Sequence, residues 1–119
     1  MTKDRFSYQT EKLSQARSAL MAPHPWGEEK SFAEAFDYCT RAFKDFDVTQ
    51  VKDENARCWI ETIKRLKDTT NVQDPSGEGT WVDRARAMTE EEKREFSDAV
   101  DELASWFRWE FWSDMSAYE

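Results

Sequence analysis

Residues 89–119 read TEEEKREFSDAVDELASWFRWEFWSDMSAYE, and this stretch decides the fold. Phe96, Val100, Leu103, Phe107 and Phe111 recur every three or four residues. At about 100° per residue they make one apolar stripe on a single long helix over 89–116. Thr89 and Glu92 form a capping box that starts it. On the same wheel Glu91, Glu95, Asp98 and Glu102 fall roughly opposite the stripe. Trp106 and Trp109 are expected on that acidic side, with Trp112 on the flank beside Trp109. A helix with one core-facing stripe has no use for tryptophans elsewhere, so these three need a cover supplied by the chain or by a partner.

The rest of the chain repeats the helical pattern. A first helix over about 5–21 carries Phe6, Leu13, Ala16 and Leu20 and stops at Pro23-His24-Pro25, because each proline restricts the residue before it. A second, over 28–46, has Phe32, Ala35, Phe36, Cys39, Phe43 and Phe46 at helical spacing, with Glu28 and Glu29 suited to the positive end of the helix dipole. A third, over 50–68, turns Val51, Ala56, Trp59, Ile60, Ile63 and Leu66 inward, with Asp47 or Thr49 as its N-cap. The short break between the second and third predicts an antiparallel hairpin. Residues 69–88 form a long connector containing Asp74-Pro75-Ser76-Gly77, a turn signal. Its end, with Trp81, Val82, Ala85 and Met88, is a short helix or an irregular cover under the bundle. The expectation is one all-α domain over 1–119, an irregular four-helix bundle.

Composition supports this. Gly and Pro are scarce, at three each, which suits helices. Seventeen aromatic residues in 119 supply enough apolar surface to offset chain-ordering entropy. The formal charge is −8, and residues 89–119 alone hold ten Asp or Glu against three Lys or Arg. Such a chain lacks the general basic field that attracts a phosphate backbone, so no nucleic acid is expected. No stretch approaches the roughly 18 apolar residues of a membrane span, and the N-terminal residues lack an apolar signal core. A cytoplasmic protein with reduced thiols is the expectation.

Side chains that carry chemistry are few. The one histidine, His24, lies between prolines and has no second ligand at metal-site spacing. Cys39 and Cys58 are equidistant from the expected hairpin bend. A disulfide is conceivable there, against the plainer reading of two small core residues. Neither thiol has a base for nucleophilic catalysis, and no cofactor motif is present.

Glu91-Glu92-Lys93-Arg94-Glu95 fits E-E-x-x-E, and over these five residues the chain resembles the all-α nucleotide pyrophosphohydrolases of the MazG type. The resemblance implies that Glu91, Glu92 and Glu95 hold Mg²⁺. The family's later E-x-x-D on another helix has no counterpart, because Glu110 and Asp114 are spaced by four on the same helix. The plainer reading is a solvated acidic face at a helix start.

The tryptophans leave three readings. The connector around Trp26 and the Trp81 segment fold over Trp106, Trp109 and Trp112; or these three form an exposed patch for a partner or a second copy; or they wall a pocket for a cationic small molecule, held by cation–π attraction and ion pairing. In size, acidity and helical content the chain is like many small proteins of phages, mobile elements and toxin–immunity or inhibitor systems. The leading expectation is a non-enzymatic protein-binding protein of inhibitor, immunity or adaptor type. Glu91, Glu95, Asp98 and Glu102 would steer, and Trp106, Trp109 and Trp112 would anchor. The alternatives are a structural homodimer through the same helix, the Mg²⁺-dependent hydrolase and the cationic pocket.

Overall fold

The computed structural model describes residues 6–22, 27–69 and 80–116, with side chains of the last helix described as far as Glu110. Among the described residues there are five α-helices and no strand: α1 (Ser7–Met21), α2 (Glu28–Phe43), α3 (Glu54–Leu66), α4 (Thr80–Ala87) and α5 (Glu90–Ser116). A single 3₁₀ turn lies at Val48–Gln50. The all-α expectation holds. At 27 residues α5 spans about 40 Å and is the element against which others register.

Capping chemistry sets the helix ends, and it shifts two expected boundaries. α2 stops at Phe43 rather than near 46, because Lys44 is extended and Asp45 takes a left-handed φ of 59°. Aspartate tolerates that conformation better than most residues. α3 starts at Glu54 rather than near 50, because the Asp53 carboxylate accepts the Ala56 N–H at 2.9 Å. Asp47 caps only the 3₁₀ turn, accepting from the Thr49 N–H at 3.0 Å. The capping box of α5 is present. The Glu92 N–H donates to Thr89 Oγ1 and the Thr89 N–H donates to Glu92 Oε1, both at 3.0 Å.

Contacts along α5 give the direction of its neighbours. Phe32 and Phe36 of α2 meet Phe96, and Phe43 meets Phe107, so α2 runs parallel to α5. Thr10 donates to the Phe107 carbonyl and Arg17 pairs with Asp101, so α1 runs antiparallel to α5. Arg65 pairs with Glu95 at the far end of α3, while Asp53 shares a cleft with Trp106 and Glu110, so α3 is antiparallel too.

The short break expected between α2 and α3 is corrected to the longer link from Lys44 to Asp53, and the two helices run antiparallel, one parallel and the other antiparallel to α5. The closest backbone approaches are α1 to α2, α1 to α5, α3 to α5 and α2 to α4. Of the two readings for the end of the 69–88 connector, the short helix is the one that forms, as α4. Val82, Ala85 and Met88 are buried there, and Arg84 Nε donates to the Leu66 carbonyl at 2.7 Å, capping the end of α3.

The core follows the helical period. Leu13, Phe36, Cys39, Ile60, Ile63, Leu66, Phe96, Val100, Leu103 and Phe107 are fully excluded from solvent. Two aromatic groups close its ends: Phe32, Phe36 and Phe96 at one, and Phe6, Phe43, Phe46, Trp106 and Phe107 at the other. Phe6, just before α1, has φ 65°, a conformation that costs a bulky residue about 1–3 kcal/mol. Its ring is 4% exposed and lies 5.1–5.9 Å from the rings of Phe46, Trp106 and Phe107, so aromatic burial holds the strained backbone in place.

Cys39 is buried, Cys58 is exposed and neither is in a disulfide. The expectation of two core cysteines is therefore half wrong. Cys58 is two residues from both Ala56 and Ile60, so a helix of 3.6 residues per turn puts it on the far side from the core. Burial pushes the Cys39 thiol up to about 12, which keeps it protonated and inert.

Candidate interaction surface on the last helix

Because α1 and α3 pack on two sides of α5, the face opposite its apolar stripe divides into three. Asp101 faces α1, where it pairs with Arg17. Glu95 faces α3, where its Oε2 lies 2.8 Å from Arg65 Nη2. Between them Glu91, Asp98, Glu102 and Trp109 share a narrow outward stripe, since spacings of seven, four and seven residues keep them within about 40° on the wheel. All four are exposed. None of the three carboxylates has an ion-pair partner among the described residues. Arg94 and Arg108 are exposed on the flank toward α1.

The tryptophans part company. Trp106, expected on the acidic side, is corrected to the flank of the apolar stripe: one residue from Phe107, it is turned about 100° from it. Its ring meets Phe107 edge-on at 5.0 Å and Phe6 at 5.9 Å, and it packs against the core from the α3 side. Among the described residues its cover includes Phe6. Trp109 is 71% exposed, the most exposed large hydrophobic residue among those described. The Trp112 side chain, Trp26, His24 and the turn at 74–77 lie outside the described residues. Trp81 is half-buried against the core in α4.

Beside Trp106 there is a cleft of about 340 Å³ lined by Phe6, Gln50, Lys52, Asp53, Trp106 and Glu110. It has the aromatic wall and carboxylates expected of a cation pocket. However, Lys52 shares the lining, and the Asp53 carboxylate already caps α3.

The E-E-x-x-E carboxylates point three ways. Glu91 faces outward. Glu92 closes the capping box and lies 3.5 Å from Arg84; the Thr89 backbone N–H, with Arg84 behind it, holds its carboxyl below the ordinary 4.5. Glu95 is taken by Arg65. Among the described residues no group of three or more His, Cys, Asp or Glu side chains is placed to hold a metal ion. Similar pairing surrounds the start of α5. Lys93 Nζ is 2.8 Å from Glu28, which raises its pKa, and Arg86 of α4 reaches Glu29 of α2.

A wheel of α5 alone could not separate Glu95 and Asp101 from Glu102, because their partners Arg65 and Arg17 arrive from helices 30 and 84 residues away. Compared with known protein families, curated proteins and solved structures, the chain matches none of them. No helix of the described residues is long and apolar enough to cross a membrane.

Proposed function

We propose that this is a protein-binding protein without catalytic activity of its own, of inhibitor, immunity or adaptor type, which docks through the outward stripe of α5. The observation that carries the reading is Trp109, 71% exposed on a stripe with three carboxylates that have no ion-pair partner among the described residues. Tryptophan dominates binding hot spots because one ring buries a large area with few torsions to freeze. Glu91, Asp98 and Glu102 select a partner with basic residues around an apolar pocket; they speed its approach and set its register. Glu95 and Trp106 act indirectly, by fastening α5 to α3 and to the core.

A second copy of the chain is a poorer occupant. A two-fold axis through Trp109 would set two acidic stripes against each other, and like charges brought together oppose association.

A photo-crosslinking residue at position 109, compared with one at exposed Glu61 on α3, tests the reading in the producing cells. The expected result is one discrete heteromeric adduct from position 109 that Glu61 does not give. That adduct should fade when the neighbouring charge is removed by Asp98→Asn with Glu102→Gln. Equal labelling from both positions would sink the proposal. A light-scattering mass near twice 14.1 kDa that Trp109→Ala returns to the monomer would replace it with the homodimer.

A further inference from the structure

The outward stripe of α5 has an apolar neighbour at its α1 edge. Arg17, Leu20 and Met21 from the end of α1, with Ser97, Asp98 and Asp101 from α5, line a cleft of about 290 Å³. Leu20 packs against the core, but Met21 beside it is 67% exposed. A thioether in water does little for the fold, and its unbranched, polarisable chain adapts to whatever covers it. Arg17 and Asp101 in the lining are paired with each other. Asp98 belongs both to the cleft and to the outward stripe, so the cleft continues the surface on which Trp109 stands.

Three features then follow one another along α5: the cleft at Asp98, the Glu102 carboxylate and the Trp109 ring. From Asp98 to Glu102 is four residues, about 6 Å, and from Asp98 to Trp109 eleven, about 16 Å. Those intervals select the shape of the partner. On a strand 16 Å is about five residues, and an odd number points the two end side chains to opposite faces. On an α-helix it is about eleven residues, and three turns bring the side chain back to within about 20° of its starting direction. One helix face can therefore make both contacts, and a residue four along stays on that face. The charges set its composition. Asp98 and Glu102 are exposed and unpaired among the described residues, whereas Glu95 and Asp101 beside them are taken by Arg65 and Arg17. Arg94 and Arg108 are exposed outside the interval from Asp98 to Glu102. The acidic segment between them calls for cations in the middle of the partner helix rather than at its ends.

We propose that the outward stripe receives a basic amphipathic α-helix of the partner. It lays an apolar side chain on Leu20 and Met21 and sets basic side chains against Asp98 and Glu102. It takes the Trp109 ring into the hollow between apolar side chains about eleven residues from the first. This rests on the docking role proposed above and adds the class of element that is docked.

The test is photo-crosslinking from position 21 and from position 109, each in the whole chain in its producing cells, with the attached partner residues located by peptide mass spectrometry. Both positions should give the same partner protein. The two attachment sites should lie in one helical segment, about eleven residues apart, with basic residues between them. A synthetic peptide of that segment should gain helix on binding. Met21→Ser should weaken the complex about tenfold while leaving the melting temperature of the free protein unchanged. Asp98→Asn with Glu102→Gln should weaken it too, by a margin that closes as salt is added. An adduct from position 109 with none from position 21, or attachment sites in separate segments or in a strand, would overturn the helix and leave the docking role standing. No adduct from position 109 would overturn the docking role itself, and the helix with it.

Discussion

The two halves of α5 carry the same inward stripe and opposite outward habits. Up to about residue 101, polar side chains reach across to neighbouring helices: Glu92 to Arg84, Lys93 to Glu28, Glu95 to Arg65 and Asp101 to Arg17. Beyond it, aromatic residues replace carboxylates. Trp106 is drawn into the core and Trp109 is left out. Position on the wheel relative to α1 and α3, more than residue type, decides which groups are consumed by the fold and which remain for something else.

The largest expected effect checks that the inward faces really are equivalent. Phe96 and Phe107 are both fully buried and each touches at least two other rings. Phe96→Ala and Phe107→Ala should each cost about 3–5 kcal/mol in urea unfolding. If Phe107→Ala cost less than about 1 kcal/mol, the aromatic half would be loosely attached, and the comparison would become one between a packed and an unpacked half.

Next comes the pair that separates fold from surface. Trp106→Ala should destabilise by about 2 kcal/mol, since its partly buried ring supports Phe6 in a strained conformation. Trp109→Ala should change stability by no more than about 0.5 kcal/mol, because the ring is mostly in water. Equal losses would erase the distinction and move Trp109 into the core.

How far these differences are legible in the sequence depends on the kind of information needed. The core positions are legible, because the 3.6-residue period records them within each helix. Phe32, Phe36, Ile60, Ile63, Phe96 and Phe107 all fall where the spacing puts them. The capping box at Thr89 and Glu92 is legible because it is local. The site of α3 is not, because the Lys44–Asp53 link looks like a tight turn until Asp45 and Asp53 are known to end one helix and cap the next. For the same reason Trp106 and Trp109 look alike. A wheel gives the angle between them, but which angle is occupied depends on helices far away in sequence. The cleft between α1 and α5 left no signal at all, since Met21 lies outside the apolar stripe of α1 and reads as ordinary helix surface.

A smaller effect is expected at the start of the helix. Thr89→Ala removes the hydroxyl that accepts the Glu92 N–H and should cost about 1 kcal/mol. The reciprocal bond makes the cap pH-sensitive. The Glu92 carboxyl is held below its ordinary value, so its ionised form favours the folded chain at and above pH 4.5. That contribution drains away as the pH falls from there through the lower folded value. Glu92→Gln cannot titrate, so its stability should decline less steeply below that pH than that of the parent chain. An identical acid profile for the two proteins would assign the acid sensitivity to other carboxylates.

The smallest effect bears on the acidic stripe. A double-mutant cycle on Arg65 and Glu95 should return a coupling of about 0.2–1 kcal/mol, the range for exposed pairs, and it should shrink as salt is added. Glu102→Gln, seven residues further along on the outward stripe, should leave stability unchanged or raise it slightly by relieving repulsion in a chain of net charge −8. If Glu102→Gln destabilised the chain as much as Glu95→Gln, Glu102 would have a structural partner, and the outward stripe would lose one of the charges that distinguish it. A carboxylate whose removal costs the fold nothing is held there for no structural reason, and under the proposed docking role basic residues of a partner belong opposite Glu102 rather than opposite Glu95.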